Sequence, residues 1–238
     1  SGRSAGSVGG SRVAHWMLLN QVFDEAMTDE ELTLITPQGA TALKTATDEG
    51  IFLFNADRAA DIMRVLAFAE ERELSAVIHG GSEAWMVAES LAAANVAVIL
   101  NPLKNLPENF ESLGARLDNA AILHKANVRV IFSSGETHNA RKVRQLAGNA
   151  AANGLPHSAA LAAISSTPAA VFGGEPRSLS QGARADLVIW SGDPLEVTTQ
   201  AEHVILSGVP DTMVSRQTLL RDRYLDEATD MPRAYTKP

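Results

Sequence analysis

Four short apolar runs, each followed by a helical pattern, constrain the fold of this chain more than any other feature. The runs lie at residues 51–54, 76–78, 96–100 and 128–132. A continuous apolar run without polar alternation is typical of a parallel strand that is covered on both faces. Four strand–helix units in succession therefore predict an α/β fold with a parallel sheet.

The helices between these runs follow from the spacing of their apolar residues. The clearest one is predicted over residues 58–72, where Asp57 precedes the helix as an N-cap. A second helix is predicted over 82–94, with Ser82 as its cap. Further helical patterns lie at 13–27, 117–126 and 140–153, and a weaker one at 29–47 is interrupted near Pro37 and Gly39.

The pattern changes after about residue 175. Strands are predicted at 185–190 and 203–208, with a third at 211–215. This part of the chain is rich in β-structure and predicts a small separate sheet. The predicted domains are thus 1–175 for the strand–helix units and 176–238 for the β-rich part and tail.

Composition excludes several classes of protein. The formal net charge of −8 disfavours a nucleic-acid binder that relies on neutralising phosphates. No apolar run approaches the ~20 residues that a membrane span requires. The chain has no cysteine, which excludes disulfides, thiolate metal sites and a cysteine nucleophile. A cysteine-free protein suits the cytoplasm and the periplasm equally, so its localisation stays open.

Polar residues at the carboxyl ends of the predicted strands are the candidates for chemistry, because functional groups of parallel α/β proteins collect at that edge. His79 offers a metal ligand or a proton carrier. Glu136 offers a ligand or a general base, with His138 close by to contact a substrate. A simpler interpretation also stands: His79 only bonds a neighbouring loop, and Glu136 only stabilises the start of the following helix.

Several segments resemble one enzyme family. The stretch 182–195, with the letters GARADLVIWSGDPL, resembles the closing motif of the amidohydrolase superfamily. Residues 155–173 are similar to the segment that precedes this motif in the family. Residues 55–62 and 80–85 resemble the imidazolonepropionase-like branch.

The resemblance implies the second half of a TIM-like (β/α)8 barrel followed by strands of a small β-sandwich. It also implies a metal-dependent hydrolase of C–N bonds in amides or cyclic amides. His79 matches the sixth-strand metal ligand of the family, whereas Asn55 replaces the fifth-strand histidine and becomes a substrate contact together with His138. Glu136 would replace the eighth-strand aspartate.

Four units are half of what a closed barrel requires. The chain is therefore expected to be the C-terminal part of a longer amidohydrolase, or to pair with another copy; its first residue, Ser1, agrees with the former. We expect a divalent metal, zinc first, in the full-length protein and none in this chain alone. The chain alone is expected to be inactive, and its substrate partner to be a small-molecule amide.

Two alternatives remain at this point. The histidine-to-asparagine change at Asn55 favours a degenerate, metal-free relative that serves as a binding or assembly module. A flavodoxin-like, doubly wound sheet with an unrelated site would also show the same strand–helix rhythm.

Overall fold

The computed structural model describes residues 10–28, 32–104, 106–175 and 178–225. Contacts within the chain divide it into two compact units. The first unit extends to Ser178 and also includes Leu195–Val197. The second unit comprises Leu179–Pro194 and the chain from Thr198 onward.

The first unit is built on a parallel four-stranded sheet. Its strands are β1 (Phe52–Ala56), β2 (Ala76–Gly80), β3 (Ala97–Leu100) and β4 (Val130–Phe132). The strands lie side by side in chain order, and every pair is parallel. The predicted parallel sheet is confirmed, and the doubly wound alternative is wrong, because this order has no point at which the strand sequence reverses.

Helices connect and cover these strands. In chain order they are α1 (Arg12–Met27), α2 (Pro37–Glu49), α3 (Ala59–Glu71), α4 (Ala88–Ala93), α5 (Asn119–Lys125), α6 (Val143–Ala152), α7 (His157–Ala162) and α8 (Ser166–Val171). Short 3-10 turns at Ala84–Val87 and Thr137–Lys142 precede α4 and α6. The long helices predicted at 82–94 and 140–153 therefore each begin with a turn of tighter winding.

Both faces of the sheet are apolar, as the continuous hydrophobic runs require. Ile78 and Val98 are fully buried in the main core, on the face that packs against the helices. Val77 and Ile131 belong to a second buried cluster, which Val171 of α8 joins. Burial on both faces explains the uninterrupted apolar runs of β3 and β4, whereas β1 alternates between half-buried and exposed positions up to Ala56.

An aromatic cluster holds α1 and α3 against β1. The ring of Phe68 meets those of Phe23 and Phe54 edge-on, with centroids 5.0 and 6.0 Å apart. The guanidinium of Arg72 lies 4.5 Å from the Phe68 centroid. Trp16 of α1 packs 5.8 Å from the same ring. These contacts fix α1 beside the end of β1, where it forms one wall of the cavity described below.

Two predicted helix caps are wrong. No side chain caps α3 from its N-cap residue Arg58; instead, the Glu83 carboxylate accepts a hydrogen bond from the Ala59 N–H, at 3.0 Å. The Asp57 carboxylate turns toward Ser82 and accepts from its hydroxyl at 2.7 Å. Long-range partners thus replace the local caps, because Asp57 and Ser82 follow neighbouring strands and meet at the same edge.

The weaker helix predicted over 29–47 also begins later than the sequence suggested. Thr36 caps α2 through its hydroxyl, and Pro37 stands at the first helical position, where it has no N–H to satisfy. The proline that was expected to interrupt a helix therefore starts one. Residues 29–31 lie outside the described part of the chain.

The second unit contains an antiparallel sheet. Strands β5 (Leu187–Trp190), β6 (Ala201–Leu206) and β7 (Val209–Pro210) are adjacent in that order, and helix α9 (Arg216–Leu225) follows. The third strand predicted at 211–215 is wrong: the chain turns at Ser207 and Gly208, so β7 comes earlier, and 211–215 is irregular. Within the described residues, no helix is both long and apolar enough to cross a bilayer.

Candidate functional site

A cavity of about 850 Å³ lies at the carboxyl ends of the parallel strands. Asn55 and His79 line it from the ends of β1 and β2, and Asn101 and Ser133 line it just after β3 and β4. Since all four strands run the same way, their polar end residues meet at one edge. The position of the cavity is thus a direct consequence of the parallel sheet.

The amide of Asn55 and the imidazole of His79 form a pair within this cavity. The two residues are direct register partners across β1 and β2. Asn55 Oδ1 lies 2.6 Å from His79 Nδ1. With the amide in this orientation, its oxygen only accepts hydrogen bonds, so the hydrogen of a neutral imidazole sits on Nδ1. The lone pair of Nε2 is then left to accept a proton or to bind a ligand.

The turn after His79 is held by the end of β1. Gly80 and Gly81 have φ angles of +105° and +66°, a backbone region that favours glycine. The Gly81 N–H donates to the Ala56 carbonyl at 2.8 Å. A Cβ on Gly80 would stand 2.8 Å from Asp57 Oδ1, so the close approach of these two residues requires glycine.

Glu136 and His138 form a second pair, separate from the first. Glu136 lines the cavity, and its carboxylate lies 3.0 Å from His138 Nε2. Both side chains are exposed, and Glu136 also accepts from the Asn139 amide at 2.9 Å. No hydrogen bond joins Glu136 or His138 to His79 in the described part of the chain. Glu136, Asn55 and His79 thus share one cavity, whereas His138 stands beside it.

A charged bridge across the cavity wall could not be predicted from the sequence. Arg12 of α1 hydrogen-bonds the carboxylates of Asp61 on α3 and Glu111 in the loop between β3 and α5. Its hydrogen bond to Glu111 is the main cause that raises the pKa of the guanidinium above its ordinary value. These partners lie 49 and 99 residues from Arg12. Only the fold could reveal this bridge, which ties the β3–α5 loop to α1.

Trp85 anchors the far end of the same loop. Its indole N–H donates to the Gly114 carbonyl at 2.8 Å, and the Arg116 guanidinium lies 4.5 Å from its ring centroid. A cation over an aromatic face is stabilising. Together with the Arg12 bridge, these contacts hold the loop over the cavity, which Arg116 and Glu111 help to line.

Comparison with known proteins gives two informative matches. No family model matches the chain. Over 84 residues, 32% of the chain, it is 40% identical to the amidohydrolase tasK of Hapsidospora irregularis. The crystal structure of an amidohydrolase from Thermotoga maritima MSB8 superposes on 84% of the chain with a TM-score of 0.68 and 25% identity. Both of these relatives are amidohydrolases.

A third structure, a prolidase complexed with n-methylphosphonate-l-proline, covers 73% of this chain and 48% of its own length. Its TM-score of 0.49 and identity of 18% are too low to bear on the argument. This chain spans 52% of the Thermotoga maritima protein and 9% of tasK. The Thermotoga maritima structure supports a mixed α/β fold like that of this amidohydrolase, and this chain has a parallel sheet and a separate antiparallel sheet.

The donor set of the chain does not by itself fit a metal ion. Within the ranges 10–28, 32–104, 106–175 and 178–225, no three His, Asp or Glu side chains stand close enough together to hold one. Asn55 already occupies one nitrogen of His79, and Glu136 is engaged with His138 and Asn139. His79 can therefore offer one donor, Nε2, and any further ligands would have to come from outside the described residues.

Proposed function

We propose that this chain is part of a hydrolase of C–N bonds in amides or cyclic amides, of amidohydrolase type and of the imidazolonepropionase-like branch. The observation that carries the proposal is the Asn55–His79 pair in a cavity at the carboxyl edge of the sheet. The likeness to the Thermotoga maritima amidohydrolase supports it independently, because the two folds correspond over most of this chain.

His79 can move the proton that hydrolysis requires. Amide hydrolysis forms a bond between a water oxygen and the carbonyl carbon, breaks the C–N bond and transfers a proton from the water to the leaving nitrogen. Because Asn55 holds the hydrogen on Nδ1, the Nε2 atom of His79 can accept the proton from water and return it. Glu136 lines the same cavity, and in this proposal its carboxylate assists the transfer.

The four strands supply one half of a TIM-like barrel in this proposal. Among the described residues, strands β1 and β4 each pair with another strand on one side only. An exposed strand edge is a template for pairing with another strand. We propose that the missing half of the barrel, or another copy of the chain, pairs with these edges. The divalent metal, zinc first, then belongs to the complete assembly, where Nε2 of His79 either binds it as a ligand or moves the proton, but not both at once.

Binding of amides tests the part of the proposal that this chain carries by itself. Trp16 lines the cavity, so its fluorescence can report ligands. A panel of N-acyl amino acids and cyclic amides is titrated into the protein, with Trp16→Phe to identify the signal. Replacing His79 by Gln should weaken binding of the best probe by about tenfold, the value of one good hydrogen bond. His124→Gln, on an exposed position of α5, serves as the control.

Turnover is measured on the same panel with added zinc. We expect the chain alone to bind an amide without hydrolysing it, since half of the site is absent. Failure of every probe to bind, or equal binding by the His79→Gln protein, would contradict the proposed function. Robust turnover by the chain alone would instead contradict the expectation that its site is incomplete, while it would support a hydrolase.

A degenerate relative that only binds or assembles is the second candidate. It is favoured by Asn55, which is a weak metal ligand where the family resemblance expects histidine. Metal analysis of the protein isolated from its source, with any chain that accompanies it, separates the two candidates. Stoichiometric zinc supports the hydrolase, whereas amide binding in a metal-free, inactive assembly supports the binding module.

A further inference from the structure

We propose that Asn119 is a positioning residue for His79: its side-chain amide holds the turn after β2 and thereby keeps the imidazole against Asn55. The proposal rests on the proposed function, in which His79 moves a proton. His79 is followed by Gly80 and Gly81, both with positive φ angles. Two such glycines in succession have many accessible conformations, so contacts with other elements must select this one.

Two of those contacts come from the end of β1. The Gly81 N–H donates to the Ala56 carbonyl, and the Glu83 N–H donates to the Asp57 carbonyl, each at 2.8 Å. The carbonyl of Gly81 is bound from a different direction. Asn119, at the start of α5, donates to it through Nδ2 at 2.9 Å across 38 residues of chain. The turn is therefore held both from β1 and from α5.

The oxygen of the Asn119 amide, Oδ1, indicates why an asparagine stands at this position. Asn119 is 7% exposed, and none of the described residues donates a hydrogen bond to its buried Oδ1. A buried acceptor without a partner destabilises a fold, and a leucine of similar size would avoid that loss. The opposite orientation of the amide would set two acceptors, Oδ1 and the Gly81 carbonyl, against each other. Stability alone thus disfavours asparagine here, whereas its donation to Gly81 accounts for it.

Asn119 lines the same cavity as His79 and Asn55. The Asn55–His79 contact of 2.6 Å leaves little freedom, so a small shift of the turn that follows His79 changes the geometry of the pair. Loss of the Asn119 donor should then release the hydrogen of His79 from Nδ1, and the imidazole would populate both of its neutral tautomers.

Nitrogen-15 NMR of the histidine rings tests this directly. Long-range proton–nitrogen spectra distinguish the two tautomers at pH 8.5, where imidazoles are neutral. His79→Gln assigns the His79 signals. Asn119→Leu removes the donor at similar size, and Asn119→Asp removes it at the same shape. Asn149→Leu is the matched control, because Asn149 on α6 also buries an unpartnered Oδ1 but does not line the cavity.

We expect His79 to be an Nδ1–H imidazole in the wild type and in Asn149→Leu, and a mixture of tautomers in both Asn119 variants. An unchanged tautomer in a folded Asn119 variant, or an equal change in Asn149→Leu, would overturn the proposal. If neither Asn119 variant folds, hydrogen exchange of the wild-type protein tests the proposal. Protection of the Asn119 side-chain N–H protons supports it. Exchange as fast as that of the exposed Asn95 side chain refutes it. None of these readouts requires turnover or amide binding, so they stand apart from the proposed function.

Discussion

At the scale of single residues, Gly80 and Gly135 make the clearest comparison, because Gly80 has crowded surroundings and Gly135 has open ones. Gly80 has φ +105° and would place a Cβ 2.8 Å from Asp57 Oδ1, whereas Gly135 has φ +75° and nothing within 4 Å. Gly135→Ala should cost only the backbone strain, about 1 kcal/mol. Gly80→Ala should cost about 2–4 kcal/mol, because Asp57 must also leave its hydrogen bonds to Ser82.

Urea unfolding of both variants measures this difference through the free energy of unfolding. Equal losses for the two alanines would mean that Asp57 moves aside freely. In that case the Asp57 carboxylate would add little to the backbone hydrogen bonds that hold the turn after His79 to the end of β1.

The same scale shows how much of the site could be predicted from the sequence. Asn55 and His79 could be placed together, because strand ends of a parallel sheet share one edge. Arg12, Asp61 and Asn119 could not, since each acts through a partner at least 38 residues away on another element. An arginine or an asparagine at a helix start carries no signal in the sequence that distinguishes such a role from ordinary solvation. The assigned roles of Glu136 and His138 stay predictions.

At the scale of elements, the Glu25 carboxylate of α1 binds the described end of the connection to α2. Glu25 accepts N–H hydrogen bonds from Thr33 and Leu34. Desolvation raises the pKa of Glu25, but the backbone donors Leu34, Thr33 and Ile35 together lower it below the ordinary value of 4.5. A lowered pKa in the folded state stabilises the fold above the unfolded pKa, and this stabilisation is lost as the pH falls through the folded value.

We therefore expect Glu25→Gln to lower the urea midpoint at pH 7 and to approach the wild type below pH 4. Unfolding curves at several pH values check this, with Glu70→Gln, an exposed glutamate on α3, as the control. A difference between Glu25→Gln and the wild type that stays constant down to pH 3 would show that the charge of Glu25 does not stabilise the connection.

Helices and strands could be predicted where the sequence pattern that indicates them lies within the element itself. The apolar runs indicated all four strands of the parallel sheet, and burial on both faces explains the continuous pattern of β3 and β4 but not that of β1. The predicted caps at Asp57 and Ser82 were wrong because these two side chains bond each other across neighbouring strand ends. Glu83 binds the Ala59 N–H at the start of α3 instead. The strand at 211–215 was wrong because the turn at Gly208, with φ +81°, ends β6 and begins β7 earlier than the apolar pattern suggested.

At the scale of the whole molecule, buried apolar side chains are distributed unequally. Within the described residues, every apolar side chain that is buried belongs to the first unit, and Leu195 is the last of them along the chain. The strands of the second unit are at most half-buried; β6, for example, has only exposed and half-buried positions. Because burial of apolar surface is the main stabilising contribution, the second unit should open at a lower free energy than the first.

Hydrogen exchange followed by mass spectrometry tests whether the second unit opens at a lower free energy than the first. Amides of β2 and β3 should exchange at least about 100-fold more slowly, relative to unstructured peptides, than those of β5 and β6, since each tenfold step reflects ~1.4 kcal/mol of opening free energy. Equal protection in the two sheets would mean that the second unit is stabilised by something other than its own buried surface. The order of exchange therefore compares the opening free energy of a short antiparallel sheet with half-buried strands with that of a well-packed parallel core.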